Sequence, residues 1–149
     1  MARHEPEALT LLVVHLALTA AYAGFQCTVR FLVYPQFARV PPAAFAAYER
    51  GHQRLVTRVV GPLLAGQALT TLLVLALRPS AVPLLPVLTG GACLVLVLAV
   101  TALLAVPLHR RLDRGWDALA HRRLLAVDGV RVAAATAGTA AAAWALLAA

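Results

Sequence analysis

The sequence predicts an all-α, integral membrane four-helix bundle, antiparallel, with an amphipathic cytoplasmic extension before its second helix. Three observations carry this. The 149 residues are 62% hydrophobic and only 13% charged, where soluble domains are near half apolar and a quarter charged. The mean hydropathy is +0.82. The apolar residues fall into four long runs separated by short polar pieces, and about 20 apolar residues suffice to cross a bilayer as a helix. Lipid offers no partners to backbone polar groups, so each run must be helical.

The four helices are expected at about 8–30, 43–77, 82–111 and 116–149, in a single transmembrane domain spanning 1–149. The first contains "ALTLLVVHLALTAAYAGFQCTV". Its Ala21–Ala23 "AYA" has the form of a signal-peptidase site, but "MARHEPEA" in front carries Glu5 and Glu7 against Arg3, unlike a basic leader. The "YPQFARVPPAAF" connection combines an interfacial aromatic, a proline stop and a Pro-Pro break, so a new helix should start near Pro42. That helix begins polar and becomes apolar, with Gly61-Pro62 loosening it. "RPSAVP" reads as a tight turn. Pro107 should kink the end of the third helix and free a carbonyl there. "LDRGWDAL" reads as the last turn, with Asp117 at the positive end of the fourth helix.

Charge sets the expected orientation. All thirteen basic residues are arginine, the net charge is +7 and the pI is near 11.0. The Ala-, Leu-, Val- and Arg-rich composition fits a GC-rich bacterial genome. A basic pI can signal nucleic acid, but here the arginines flank apolar spans. Arg30, Arg39, Arg50, Arg54 and Arg58 follow the first span; Arg110, Arg111, Arg114, Arg122 and Arg123 follow the third; only Arg3 and Arg78 lie on the other side. By the positive-inside rule both arginine-rich segments are cytoplasmic, both termini lie outside, and the location is the inner (plasma) membrane. Lipid, a hydrophobic small molecule and a second copy of the chain are the expected partners; nucleic acid is not. Cys27 and Cys93 lack C-x-x-C spacing and read as small buried hydrophobes.

Polar residues inside such spans are costly and must face protein or water. On the first helix His15, Thr19, Tyr22, Gln26 and Arg30 share one face. On the second, Tyr48, Glu49 and His52 share a face with Phe45, opposite a stripe of Arg50, Arg54 and Arg58; Gln67 and Thr70 follow at compatible angles. Glu49 and His52 at i, i+3 can satisfy each other or form half of a Glu-x-x-His di-metal motif. His109 and Asp113 fall at i, i+4 near the end of the third helix. On the fourth, Asp117, His121, Asp128 and Arg131 share a face, with Asp128 and Arg131 able to pair. Interhelical hydrogen bonding alone accounts for many of these groups. The gathering of His52, His109 and His121 from three helices instead predicts a polar cavity near the cytoplasmic leaflet.

Several stretches carry a resemblance: "VYPQFARVPPAAFAAYERGHQRLVTRVVGPLL", the "AYAGF" of the first helix, "VPLHRRLDRG", and Arg131 early in the fourth. Together they resemble the small four-helix membrane proteins grouped with anthrone oxygenases, most of which have no assigned role. The chain departs from that pattern with "VDGVRVAAATAG" around Arg131 and with Glu49 where relatives carry histidine. The resemblance implies cofactor-independent oxidation of an anthrone to an anthraquinone by dioxygen.

The expected function is therefore a membrane oxidoreductase acting on a hydrophobic aromatic or phenolic compound. His52 is the expected general base, since a neutral imidazole suits proton removal near pH 7, and Glu49 its orienting partner. Tyr22, Gln26, Tyr48, His121, Asp128 and Arg131 are the expected substrate-binding residues. A metal-dependent variant would use His109 and Asp113 with Glu49 and His52, and Fe or Mn would suit those N/O donors. The alternatives are a non-enzymatic scaffold, partner subunit or lipid-binding protein, and a small multidrug exporter, for which Asp128 is the only membrane-embedded carboxylate at hand.

Overall fold

The computed structural model describes residues 4–149, with side chains from Pro6 onward; Arg3, counted in the charge asymmetry, lies outside the described residues. It is a bundle of four helices, each long and apolar enough to cross a membrane. Helix α1 (residues 4–37) runs as His4–Thr28, a π-helical turn Val29–Val33 and a last turn Tyr34–Phe37. Helix α2 is Pro42–Leu77. Helix α3 is Leu84–Val100, a π-helical turn Thr101–Ala105 and Val106–Leu112. Helix α4 is Ala118–Leu147.

The first helix runs seven residues past its expected end at Arg30, because Pro35 does not stop it. Proline lacks an N–H, and its ring collides with the carbonyl four residues earlier. The chain absorbs this with a π turn, in which the Tyr34 N–H bonds to Val29 O. Helix α3 repeats the device at the same offset: the Val106 N–H bonds to Thr101 O, just before Pro107. Each proline thus follows one inserted residue instead of breaking its helix, and everything beyond it is rotated from the regular 100° register. Helix α2 continues unbroken through Pro62.

Helix α4 is the most enclosed: 39% of its apolar window is buried, against 17–22% for the other three. It packs most extensively on α3 and α1. Its buried face is built of small residues, Ala134, Ala135, Gly138, Ala141, Ala142 and Ala145. Small side chains let backbones approach where packing, rather than water exclusion, drives association. At Gly138 the approach is tight, since an added Cβ would lie 3.3 Å from Cys93 Cβ. Both cysteines are unpaired and only partly buried, which corrects the reading of them as small buried hydrophobes.

The core forms three layers. Val29, Tyr34, Phe37, Phe45, Leu112 and Leu124 fill the arginine-rich end. Tyr22, Val97, Ala134 and Ala135 fill the middle. Leu12, Val74, Val82, Val87 and Ala145 fill the far end. Asp117 caps α4, accepting from the Leu119 and Ala120 N–H groups at 3.0 and 2.9 Å. The turn before it places Gly115 at φ +144°, in the left-handed region, which glycine reaches without steric cost. Leu72, Val95 and Leu103 expose most of their surface on the bundle exterior, as lipid contact requires.

Candidate functional site

The layer at the arginine-rich end holds a chain of polar groups from three helices. Glu49 of α2 is wholly buried. Its Oε1 lies 2.5 Å from His109 Nδ1 of α3 and accepts from Gln53 Nε2 at 3.0 Å. Gln53 Nε2 also donates to Asp113 Oδ1 at 2.7 Å, so this amide carries Glu49 toward the surface. On its other side the His109 ring meets α1, with Nε2 3.0 Å from the Tyr34 hydroxyl. A carboxylate that accepts from Gln53 is met by an N–H on His109 Nδ1. The Nε2 lone pair is then left to accept from Tyr34.

The π turns account for this meeting. Tyr34 directly precedes Pro35 and His109 follows Pro107 by two residues, so both stand just past an inserted residue. Helix α1 ends at Phe37, leaving its last carbonyls without partners in the helix. His121 Nε2, from α4, donates to one of them, Tyr34 O, at 2.8 Å.

Histidines 52 and 109 are neighbours, whereas His121 reaches them only through the Phe37 ring. The His52 and His109 ring centroids are 6.1 Å apart with planes 28° apart. His52 stands edge-on to Tyr34 at 5.9 Å and to Phe37 at 4.9 Å. His121 stacks on Phe37 at 6.2 Å and approaches Trp116 at 5.0 Å.

Two expectations are corrected here. Glu49 hydrogen-bonds His109 and Gln53 rather than His52, so the carboxylate orients a different imidazole from the one expected. The space among the imidazoles is occupied by the fully buried Phe37 ring, not by an open cavity. Tyr48 is 39% exposed and reaches the cluster only through the edge of Phe37, at 5.6 Å. Asp117 stays outside as a cap, paired with Arg111 Nε at 2.5 Å.

A second cluster lies in the middle layer. Asp128 and Arg131 pair as expected, Arg131 NH1 lying 3.4 Å from Asp128 Oδ1. Gln26 of α1 joins both, donating from Nε2 to Asp128 Oδ1 and accepting from Arg131 NH2 at 3.0 Å. The Arg131 guanidinium also interacts electrostatically with the Tyr22 and Tyr34 phenols. Tyr34 is therefore the group that connects the two clusters. Two atoms here are buried without a hydrogen-bond partner, Asp128 Oδ2 and Arg131 Nε, and Tyr22 Oη has only its interaction with the Arg131 guanidinium. Glu49 Oε2 in the first cluster is in the same state. Buried polar atoms are nearly always paired, so these groups set these two layers apart from the rest of the core. Farther out, His15 Nδ1 lies 2.9 Å from Thr70 Oγ1, an α1–α2 contact of the interhelical kind.

Among the described residues no three His, Cys, Asp or Glu side chains are grouped to hold a metal ion. Glu49 and His109 pair with each other, Asp113 is joined through Gln53, and His52 stands off by a ring contact. The set proposed for Fe or Mn is thus not assembled.

Two cavities flank the bundle. One of about 720 Å³ lies at the far end, lined by Pro6, Leu9, Leu77, Pro79 and Ser80 among others, with no ionisable side chain among the described residues of its wall. The other, about 360 Å³, is an apolar groove between α3 and α4 lined by Leu103, Leu104, Pro107, Leu108 and Val127, with Arg123 at its rim. The smaller one is nearer the chemistry, since Leu108 and Val127 pack directly against the Tyr34–Phe37 layer.

Tyr34, Gln53 and Phe37 were missed in the sequence. Gln53 is four residues after Glu49 and so shares its face, a signal that was present. Tyr34 carried none, because the inserted residue before it breaks the helical count. Comparison with protein-family models, with curated proteins and with solved structures gave no match.

Proposed function

We propose that this chain is a membrane-embedded oxidoreductase that oxidises a hydrophobic aromatic or phenolic compound with dioxygen, in the manner of the anthrone oxygenases it resembles. The observation that supports this best is the buried Glu49–His109–Tyr34 chain with His52 alongside and unpartnered donors and acceptors next to it. A purely apolar bundle needs none of these groups. By the positive-inside rule, the arginine distribution supports a reading in which this end of the bundle faces the cytoplasmic leaflet of the plasma membrane and both termini lie outside.

The α3–α4 groove gives a lipid-dissolved aromatic a lateral way in, past Leu108 and Val127. His52 removes an acidic proton from the substrate's methylene carbon, leaving a carbanion. Arg131 and Tyr22 stabilise the enolate charge on the substrate oxygen, and Gln26 and Asp128 hold Arg131 in place. The carbanion is oxidised by dioxygen, forming a C–O bond, and the peroxide takes the proton back from His52. Loss of the second methylene proton with cleavage of the O–O bond leaves a ketone and water. One dioxygen is consumed per ketone formed, and no further reductant is required.

The test is full-length protein in lipid nanodiscs with anthrone, following anthraquinone by absorbance and dioxygen by electrode. The expected stoichiometry is one to one. His52→Ala should lower turnover by about 100-fold or more, the usual scale for a general base, with helicity retained. Unchanged turnover in that variant removes His52 from the mechanism, and no anthraquinone from the unaltered protein removes the oxygenase. A second reading, a non-enzymatic scaffold, is favoured by one observation: the Phe37 ring fills the space among the imidazoles. A scaffold would show no thermal shift with tricyclic phenols.

A further inference from the structure

We propose that Tyr34 is a catalytic residue, the phenol at the working end of a carboxylate–imidazole–phenol relay formed by Glu49, His109 and Tyr34, which takes the hydroxyl proton of a bound phenol. The inference rests on the reading of this layer as a site for aromatic hydroxyl compounds and adds a proton acceptor that the sequence did not reveal.

Three features carry it. The contacts run in order across three helices, 2.5 Å from Glu49 Oε1 to His109 Nδ1 and 3.0 Å from His109 Nε2 to Tyr34 Oη. With Glu49 as a carboxylate, His109 takes the tautomer that donates from Nδ1 and accepts at Nε2. The Tyr34 oxygen, having given its hydrogen to His109, keeps lone pairs for a further donor. Finally, the Arg131 guanidinium is close enough to act on the Tyr34 phenol, with the Asp128 and Glu49 carboxylates acting in the opposite sense. The backbone of Tyr34 is itself held by His121, which limits its wandering.

The step balances as a proton transfer. The substrate O–H bond breaks and an O–H bond forms on Tyr34 Oη. The original Tyr34 proton passes to the lone pair of His109 Nε2, and the resulting imidazolium lies against the Glu49 carboxylate. The electron pair of the broken bond stays on the substrate oxygen as a phenolate.

The experiment uses the full chain in nanodiscs with 2-hydroxyanthraquinone, whose visible absorption changes when its hydroxyl ionises, and needs no turnover. The bound dye should ionise about one to three pH units below the free dye, the range an adjacent opposite charge produces. In Tyr34→Phe the dye should still bind, with that shift lost; His109→Gln, on a separate helix, should do the same and answers if Tyr34→Phe does not fold. An equal shift in both variants and the unaltered protein overturns the relay while leaving the site. Failure of the dye to bind the unaltered protein overturns the site and the relay together.

Discussion

Glu49 and His109, on different helices and sixty residues apart in sequence, meet Oε1 to Nδ1 at 2.5 Å with the carboxylate fully shielded from solvent. Removing the carboxylate leaves the His109 N–H without its acceptor in the buried layer, at about 1–3 kcal/mol. Glu49→Ala should therefore destabilise the fold. Glu49→Gln, which still offers a carbonyl oxygen to the Nδ1–H, should lose much less. Unfolding in mixed detergent micelles measures both. A double-mutant cycle with His109→Ala should show the two losses to be far from additive, whereas additive losses would mean that the pair is not coupled.

That pairing shows where sequence reading stops. The four spans were legible because each apolar run is long enough to cross lipid and nothing else explains such a run. The inward face of α1 was legible up to residue 28, where the helix is regular, and His15, Thr19, Tyr22 and Gln26 are all buried as their spacing implies. Asp128 and Arg131 were legible as neighbours on one helix. Beyond each π turn the angular count fails by one residue, so Tyr34 was placed as an interfacial aromatic when it lies in the core. Spacing also says nothing about which of three imidazoles a buried carboxylate will choose, and a neighbour at i, i+3 was favoured over one on another helix. The filling of the expected cavity by Phe37 depends on where α1 ends, and Pro35 pointed to the wrong place.

The Gln26–Asp128–Arg131 cluster makes a second prediction. Asp128 is wholly buried and its neighbour Arg131 nearly so, in a segment where lipid makes an isolated charge costly. Asp128→Ala should destabilise by about 3–5 kcal/mol by leaving Arg131 unpaired. Replacing the three together, Gln26→Leu with Asp128→Leu and Arg131→Met, should cost less than the single change, because no charge is then stranded. Thermal unfolding of the two variants in the same detergent decides this. A triple variant less stable than the single one would mean that the polar contacts themselves hold α1 to α4.

Packing between α3 and α4 gives a third. A methyl group added at residue 138 would lie 3.3 Å from Cys93 Cβ, and neither carbon can rotate away because each is fixed to its backbone. Gly138→Ala should cost about 1–3 kcal/mol, as overpacking does, and Gly138→Leu should prevent the helices from closing. Cys93→Gly should recover most of the loss from Gly138→Ala. Stability measured across this double-mutant cycle should give a favourable coupling; no coupling would place the strain elsewhere.

The last prediction concerns acid and the start of α4. Asp117 lies outside the membrane-spanning segments, and its carboxyl is held below its ordinary value of 3.8, first by the Ala120 N–H, which desolvation partly opposes, and then by the Arg111 guanidinium and the Leu119 N–H. A carboxyl depressed in the folded state contributes stability that is fully present above its unfolded value, and that stability is lost as pH falls through the lower folded one. The contribution should therefore be constant at neutral pH and fade only in acid, from about pH 4 downward. Other carboxylates titrate there too, so the comparison is between the protein and Asp117→Asn, which can still cap the helix but cannot ionise. Their thermal midpoints should stay parallel at neutral pH and converge in acid. Curves that keep a constant separation to the lowest pH would show that Asp117 acts as a neutral cap alone, with its ion pair to Arg111 contributing nothing.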